Sequence, residues 1–364
     1  MAPGPARKRK PSATIVETAP IVLDKVVKAE SAVEPGEGRG PARRRKVTGR
    51  LIRGSELPSE FELERLPELV GDNANLAWVD LSEYAAEDLA AVAKILALHP
   101  LTIEAALDSW QRPRLDSFQD HFYLSATVAS ANSKLLTITA GELGIWMGRN
   151  FIVTAHRRPL PFLEAALARV EQSPDLSQLH TAFVLYILLD ELVAHYAALF
   201  EELEDLIEAT EEKALRENSD EFLGDLLHLK RYVFALGRLA EQHRGVFNAF
   251  SRPDFAFVSG PEIDPYFRDV QANLERVIDR LVAAREAVNG AFDIYVSHMA
   301  HRTNALIKVL TLISTVLLPA TLLVAIAQVV FRLPLLSTPW SLGALGAALV
   351  VIPGALFMIV LRRR

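Results

Sequence analysis

The longest apolar stretches of the chain lie at its C-terminal end, where residues 309–331 and 333–361 contain no charged side chain. Only Arg332 separates the two stretches. A helix needs about 20 apolar residues to cross the hydrocarbon core of a bilayer. The pattern therefore predicts two C-terminal transmembrane helices, at about residues 309–331 and 340–361.

A near-heptad pattern of apolar residues precedes the first of these stretches. It starts at Tyr266, and no proline interrupts it before Pro319. Such a stripe predicts one helix of about 100 Å that continues into the first apolar stretch. A helix this long with a continuous apolar stripe needs partners, so the sequence predicts a stalk in an oligomer.

Strand-like and helical patterns alternate between residues 54 and 174. The expected strands are 76–81, 122–128, 135–139, 143–147 and 151–154, and the expected helices are 85–98, 102–108 and 161–170. Residues 175–308 predict a helical domain and stalk, with helices at 176–216 and 221–250 before the long one. The expected fold class is an α+β membrane protein with a cytoplasmic α/β domain, a long helical stalk and two C-terminal transmembrane helices.

The N-terminal segment, residues 1–53, differs from the rest in charge. It contains two basic runs, Arg-Lys-Arg-Lys at 7–10 and Arg-Arg-Arg-Lys at 43–46, and few large apolar residues. This composition predicts a disordered basic tail. Two basic runs are compatible with nucleic-acid binding, but no aromatic residue lies among them. A solvated tail near anionic lipid is the preferred interpretation, without a nucleic-acid partner.

Charged residues beside the two apolar stretches predict the orientation. Arg302 and Lys308 precede the first stretch and three arginines, 362–364, follow the second, so the positive-inside rule places both termini in the cytoplasm. No apolar segment follows the first basic residues, so no secretory signal is expected. The chain has no cysteine, which fits a reducing compartment and excludes thiolate sites. The expectation is a multi-pass protein of the bacterial inner membrane.

Five short segments occur in an order that resembles the CorA-type divalent cation transporters. They are HPLTIE at 99–104, QRPR at 111–114, LYILLDE at 185–191, YFRDV at 266–270 and NALIKVLTLISTVLLPAT at 304–321. The resemblance covers roughly residues 75–364 and implies a homopentamer whose first transmembrane helix lines a pore. No phosphate loop or nucleophile elbow is present, so an enzyme is not expected.

The resemblance implies passive transport of a divalent cation, with Mg²⁺ expected and Co²⁺, Ni²⁺ or Zn²⁺ as alternatives. If Thr321 faces the pore, helical spacing places a set of residues on the same face. That set is Asn304, Ile307, Leu310, Ser314, Leu318, Thr321, Ala325, Gln328 and Arg332. Packing between helices is the alternative role for each of them. The cation is the transported and regulatory ion, and no tightly bound cofactor is expected.

The chain departs from the family at the end of the first span. Gln328, Val329 and Val330 occupy the place of a Gly-Met-Asn signature, and Arg332 stands where many relatives carry an acidic residue. Five Gln328 amides would form a substitute polar ring if this residue faces the pore. Arg332 is expected either to oppose cation entry or to extend to lipid headgroups. The departures leave open a second function, a non-conducting membrane-anchored regulatory or scaffold protein.

The resemblance also implies a regulatory metal site between subunits, formed by Glu104, the next residue and Asp269. The next residue is Ala105, so the site is expected to be weak or water-mediated. The alternative to metal binding, for both Glu104 and Asp269, is that the acid is an exposed charge on a helix surface. The acidic run at 201–212 either attracts divalent cations or forms exposed helix surface. His298 and His301 either bind a transition metal or form exposed helix surface. Exposed surface is the preferred interpretation for both groups.

Overall fold

The computed structural model describes residues 46–53, 58–72, 75–108, 112–132, 135–172, 176–217, 219–250 and 260–330, and a few single positions after 339. The predictions for residues 1–45 and for the second span lie outside the described residues. The chain forms two compact units. The first consists of residues 1–132, 137–196 and 238–275, and the second of 133–136, 197–237 and 276–364.

The first unit contains a seven-stranded sheet in the described part of the chain. Its strands are β1 Lys46–Ile52, β2 Ser59–Phe61, β3 Leu76–Ser82, β4 Arg114–Ser117, β5 His121–Asn132, β6 Thr137–Gly148 and β7 Phe151–His156. The strand order is β2-β1-β3-β7-β6-β5-β4. Strands β3 and β7 are parallel, whereas the other neighbouring pairs are antiparallel.

Four short helices accompany the sheet: α1 Leu66–Val70, α2 Ala86–Ile95, α3 Pro100–Leu107 and α4 Pro161–Glu171. Prolines start α3 and α4, where a missing backbone N–H costs nothing. All six residues of β7 are buried, as expected for a strand covered on both faces. Trp146 on β6 is fully buried and donates from Nε1 to Oγ1 of Thr102 at 2.8 Å, which attaches α3 to the sheet.

Three long helices and one short helix follow: α5 Leu176–Ala214, α6 Asp220–Glu241, the short α7 Arg244–Phe250 and α8 Asp264–Val330. In the first unit their side chains complete the hydrogen bonds of β5 beyond the end of β4. Tyr196 Oη donates to the Thr127 carbonyl at 2.9 Å, and Nε2 of His243 accepts from the Thr127 N–H at 3.1 Å. His195 Nε2 donates to the Ala129 carbonyl at 2.7 Å. The exposed edge of β5 is thereby closed.

Cation–aromatic contacts join the helices within the second unit. Arg280 on α8 lies 4.4 Å from the ring centre of Phe200 on α5, and Arg285 lies 4.0 Å from the ring centre of Phe234 on α6. Arg280 also pairs with Glu204 at 3.1 Å. These contacts use the long side chains of α8 to cover aromatic surface while their charges stay near water.

The structure corrects the boundary of the N-terminal tail. Residues 46–52, which the sequence assigned to the disordered segment 1–53, form β1 and pair with β3 along its whole length. The basic residues of this segment led to the prediction of disorder, but Leu51 and Ile52 are buried in the strand. Gly49 allows close packing here, because a Cβ at this position would lie 2.7 Å from Cε2 of Phe61.

Three further expectations change in detail. Leu135 and Leu136 form a turn rather than a strand, and the two strands expected at 135–139 and 143–147 are the single strand β6. The helix expected at 221–250 is divided into α6 and α7. The division occurs at His243, whose ring bonds to Thr127 of β5 and, through Nδ1, to the Leu239 carbonyl at 3.0 Å. Burial lowers the pKa of His243 to about 4, so the ring stays neutral.

Candidate ion pathway and metal sensor

Helix α8 carries the predicted pore face. It is continuous over 67 residues, so every predicted pore residue except Arg332 lies on one helix. Their spacing of three and four residues places them on a single face. Arg332 and the side chain of Gln328 lie outside the described residues.

The described part of this face is accessible in the single chain. Leu310 and Leu318 are 65% and 68% exposed, Ile307 is also exposed, and the same holds for Asn304 and Thr321. Ala325 is exposed and Ser314 is half-buried. A soluble protein rarely leaves so many large apolar side chains in contact with water. The face is therefore one that another surface must cover.

Hydroxyl groups along the same helix are partly used by the backbone. Thr321 Oγ1 donates to the Leu318 carbonyl at 2.9 Å, and Thr311 Oγ1 donates to the Ile307 carbonyl at 2.7 Å. Pro319 has no N–H to donate to the carbonyl of Thr315. Because the Thr321 hydroxyl directs its proton to the helix, its oxygen lone pairs are available to a cation or its water.

Two helices of the described chain are long and apolar enough to cross a membrane. In Thr181–Ala214 the apolar window is 61% buried inside the protein, as in the core helix of a soluble domain. In Asp264–Pro319 the window is 0% buried. The second helix contains the start of the predicted first span, and no other part of the described structure covers the apolar residues of this window.

Glu104, the first acid of the predicted sensor, lies on α3. The helix starts at its N-cap His99 and ends at Asp108. Glu104 is exposed and borders an open groove of about 620 Å³, together with Asp108 and with Arg114 and Asp116 of β4. Arg114 pairs with Asp116 at 3.0 Å, so one acid of the groove is already neutralised.

Ala105 lies next to Glu104, at the position where the resemblance predicts a second acid of the sensor. It is only 5% exposed and belongs to the apolar core that also contains Ala106 and Tyr123. It also borders the groove beside Glu104. An aspartate at this position would reach the groove only with part of its side chain against the apolar core.

Asp269, the second acid of the predicted sensor, lies near the start of α8 and is exposed. It accepts a hydrogen bond from Nδ2 of Asn273 at 3.4 Å. Burial raises the pKa of the nearby Tyr186 phenol, and the charges of Asp190 and Asp269 raise it further. Within the described ranges no hydrogen bond or ion pair links Asp269 to Glu104, and no three His, Asp or Glu side chains form a metal-binding group.

The acidic run on α5 behaves as a solvated helix face. Glu201, Glu202, Asp205 and Glu208 are exposed, whereas Leu203, on another face of the helix, is fully buried. His298 and His301 are three residues apart on α8, and neither belongs to a metal-binding group in the part of the chain that the structure describes.

Sequence reasoning missed the groove and its acids Asp108 and Asp116. The available signal was their place on either side of the QRPR motif at 111–114, which follows the helix of Glu104. That signal shows that the acids are close in sequence. Only the pairing of β4 with β5 shows that Asp116 lies beside α3, in the same groove as Glu104 and Asp108.

Comparisons with known proteins agree with this architecture. A family model described as CorA-like Mg2+ transporter protein matches residues 73–363. The cobalt/magnesium transport protein CorA of Thermotoga maritima is 26% identical over 292 residues, which are 79% of this chain and 82% of that protein. A putative metal ion transporter of Bacillus subtilis, YfjQ, is 26% identical over 76% of this chain and 86% of its own length.

Solved structures share the fold. The CorA magnesium transporter of Methanocaldococcus jannaschii superimposes with a TM-score of 0.74 at 21% identity, over 87% of this chain and 98% of that one. Full-length CmaX superimposes with a TM-score of 0.69 at 17% identity, over 88% of this chain and 99% of that chain. Since the family model spans most of the sequence, the chain belongs to the CorA family of divalent cation transporters.

Proposed function

We propose that this protein is a homopentameric channel that moves Mg²⁺ passively across the bacterial inner membrane, with Co²⁺, Ni²⁺ and Zn²⁺ as alternative cargo. The observation that carries the proposal is helix α8, which continues from Asp264 to Val330 and whose apolar window near its C-terminal end is not covered by any other described residue. Five copies around an axis would line a pore with one face and pack against a second helix and lipid with the others.

The pore face alternates apolar and polar rings in this arrangement. Ile307, Leu310 and Leu318 would form a gate that closes by excluding water, and Asn304, Ser314 and Thr321 would supply hydrogen bonds to a hydrated ion. Mg²⁺ releases its water reluctantly, so recognition through water suits it. In detergent, the protein should have a mass of about 200 kDa, five times the 40.2 kDa chain.

The entrance of the proposed pore is unusual. Five Arg332 side chains about 10 Å from a divalent ion would repel it by roughly 4 kcal/mol in water and by about 1 kcal/mol at physiological salt. Such a barrier slows cation entry and does not prevent it. Gln328, on the same face, would offer five amides in place of the missing signature.

We further propose that Glu104 and Asp269 form a weak regulatory site for the same cation between neighbouring subunits. The exposure of both acids and the absence of a ligand at Ala105 support a site that works through water. Both termini would lie in the cytoplasm, because basic residues precede the first span and follow the second.

A non-conducting scaffold is the second candidate function, and the Gln328-Val329-Val330 sequence with Arg332 favours it. Ion flux into liposomes separates the two. Purified protein is reconstituted and uptake of Mg²⁺, Co²⁺, Ni²⁺ and Zn²⁺ is compared with that of the Thermotoga maritima relative in the same vesicles. Uptake of one ion above protein-free vesicles supports the channel. No uptake, while the relative conducts, supports the scaffold.

A further inference from the structure

Two histidines meet at the N-terminal end of α3. His99 is the N-cap residue of this helix, and His121 is the first residue of β5. The ring of Phe118 lies between them, with centroid distances of 4.4 Å to His99 and 5.1 Å to His121. The interplanar angles are 19° and 21°, so the three rings form one stack.

Both imidazoles accept hydrogen bonds from the backbone. Nε2 of His121 accepts from the His99 N–H at 3.2 Å, and Nδ1 of His99 accepts from the Leu101 N–H at 3.3 Å. A ring nitrogen accepts only while it carries no proton, so both rings are neutral in this arrangement. Protonation would turn either acceptor into a donor that faces another donor, and the hydrogen bond would be lost.

The surroundings add to this effect. The N-terminal end of a helix carries partial positive charge, which repels an imidazolium. His121 is only 5% exposed, and burial lowers its pKa, an effect that His99 increases and Asp120 opposes. The other charged side chains on the elements that meet here are Glu104 of α3 and the Arg114–Asp116 pair of β4.

The other side-chain hydrogen bonds that hold α3 in the described part of the chain come from hydroxyl, indole and guanidinium groups. Thr102 Oγ1 donates to the His99 carbonyl at 2.7 Å while it accepts from Trp146. At the other end, Tyr84 Oη and Nη2 of Arg157 donate to carbonyls of the last turn at 2.8 and 2.6 Å. The histidine stack is therefore the part of the anchoring that a change in pH can release.

We propose that the stack of His99, Phe118 and His121 is a pH-responsive cap, which holds the first turn of α3 through two hydrogen bonds while both rings are neutral and loses one of these bonds with each ring that is protonated. Glu104 lies in the following turn of the same helix, so acidification would loosen the backbone beneath it. The cap follows from the hydrogen bonds alone and does not depend on metal binding at Glu104 or on ion transport.

Hydrogen exchange on the full-length protein in detergent tests the cap. Protection factors, corrected for the intrinsic pH dependence of exchange, are measured for peptides of α3 at about pH 7.5 and about pH 5. In the wild type, protection of the first turn should fall about five- to tenfold at the lower pH. A peptide from the buried part of α5, residues 184–193, should not change and serves as the control for global unfolding.

A matched double variant sharpens the test. His99→Asn keeps an N-capping acceptor in the place of Nδ1, and His121→Gln keeps an acceptor in the place of Nε2, but neither residue titrates. The double variant should be protected equally at both pH values, whereas His301→Gln, at an exposed histidine of α8, should respond like the wild type.

Two results would overturn the cap: no loss of protection in the wild type at about pH 5, or an equal loss in the double variant. If the α5 control peptide shows that the double variant is globally unfolded, the two single variants are measured in its place. Each should then lose less protection than the wild type on acidification, and a loss equal to the wild type in both would also contradict the proposal.

Discussion

The sheet of the first unit and the C-terminal part of α8 are built from the same kinds of residue but bury them differently. Ile145, Met147 and Val153 of the sheet are almost inaccessible, whereas Leu310 and Leu318 of α8 are largely exposed. The sheet finds its apolar neighbours within the chain. Among the described residues the helix does not, and its apolar residues there stay exposed in the single chain.

The largest expected effect comes from removing a core side chain of the sheet. Trp146→Ala should lower the free energy of unfolding by about 3–5 kcal/mol, because it leaves a cavity and takes the donor away from Thr102. Leu310→Ala should cost less than about 1 kcal/mol within one chain. Thermal unfolding in detergent, followed beside the oligomeric mass, measures both. Equal losses for the two variants, without dissociation, would contradict the comparison.

An acid placed at the edge of the core should have an intermediate effect. Ala105→Asp should destabilise the protein by about 1–3 kcal/mol without divalent cations, because part of the carboxylate would lie against apolar side chains. If Glu104 and Asp269 form a regulatory site, Mg²⁺ should restore this stability and should inhibit flux at a lower concentration than in the wild type. Ala106→Asp is the control for burial alone. The same response to Mg²⁺ in both variants would argue against the site.

Charge at the proposed entrance should change flux by several-fold. Arg332→Glu should increase divalent flux, since it removes about 1 kcal/mol of repulsion at physiological salt, and the gain should shrink as monovalent salt rises. Gln328→Ala should lower flux because it removes the polar ring. If the wild type conducts and both variants match it at low and high salt, neither residue lines the path.

The smallest expected effect is a change of stability with pH in the sheet. Nε2 of His156 lies 3.3 Å from Oδ1 of Asp80, and its Nδ1 donates to the Arg158 carbonyl at 2.6 Å. Burial alone would lower the pKa of His156, but the hydrogen bond and charge of Asp80 outweigh it and the pKa is raised. The charged form is therefore stabilised by folding.

It follows that His156 contributes its full stabilisation below about pH 6.5, and that this contribution is lost as the pH rises through the higher pKa of the folded state. His156→Gln should flatten this decline in melting temperature, while His301→Gln on the exposed part of α8 should leave it unchanged. If the melting temperature of His156→Gln still falls with rising pH as in the wild type, His156 is not the cause of the fall.

Periodicity along the sequence was enough to predict the long helix, because each of its turns repeats the same local pattern. The start at Asp264 and the continuity through Pro319 agree with that prediction. The sheet was harder, since its order depends on pairing between distant segments. The parallel partnership of β3 and β7 and the short strands β2 and β4 have no local signature.

The predicted site also has a part that local sequence patterns identify and a part that depends on the fold. Motifs identified Glu104 and Asp269, but the groove beside Glu104 depends on how β4 returns to α3, which the sequence pattern does not contain. The histidine stack likewise joins residues 99, 118 and 121 from three structural elements. Local patterns identify which residues carry charge, whereas the fold determines which of them face each other.

The unbroken length of α8 makes it a lever. Within the second unit, Arg276 and Leu318 are separated by roughly 63 Å along the axis, at about 1.5 Å for each residue. A tilt of about 5° at the Arg276 end would displace Leu318 by roughly 5 Å if the rod stayed rigid. Pro265 lies in the first turn of the helix and Pro319 lies beyond Leu318, so no proline interrupts the rod between the two positions.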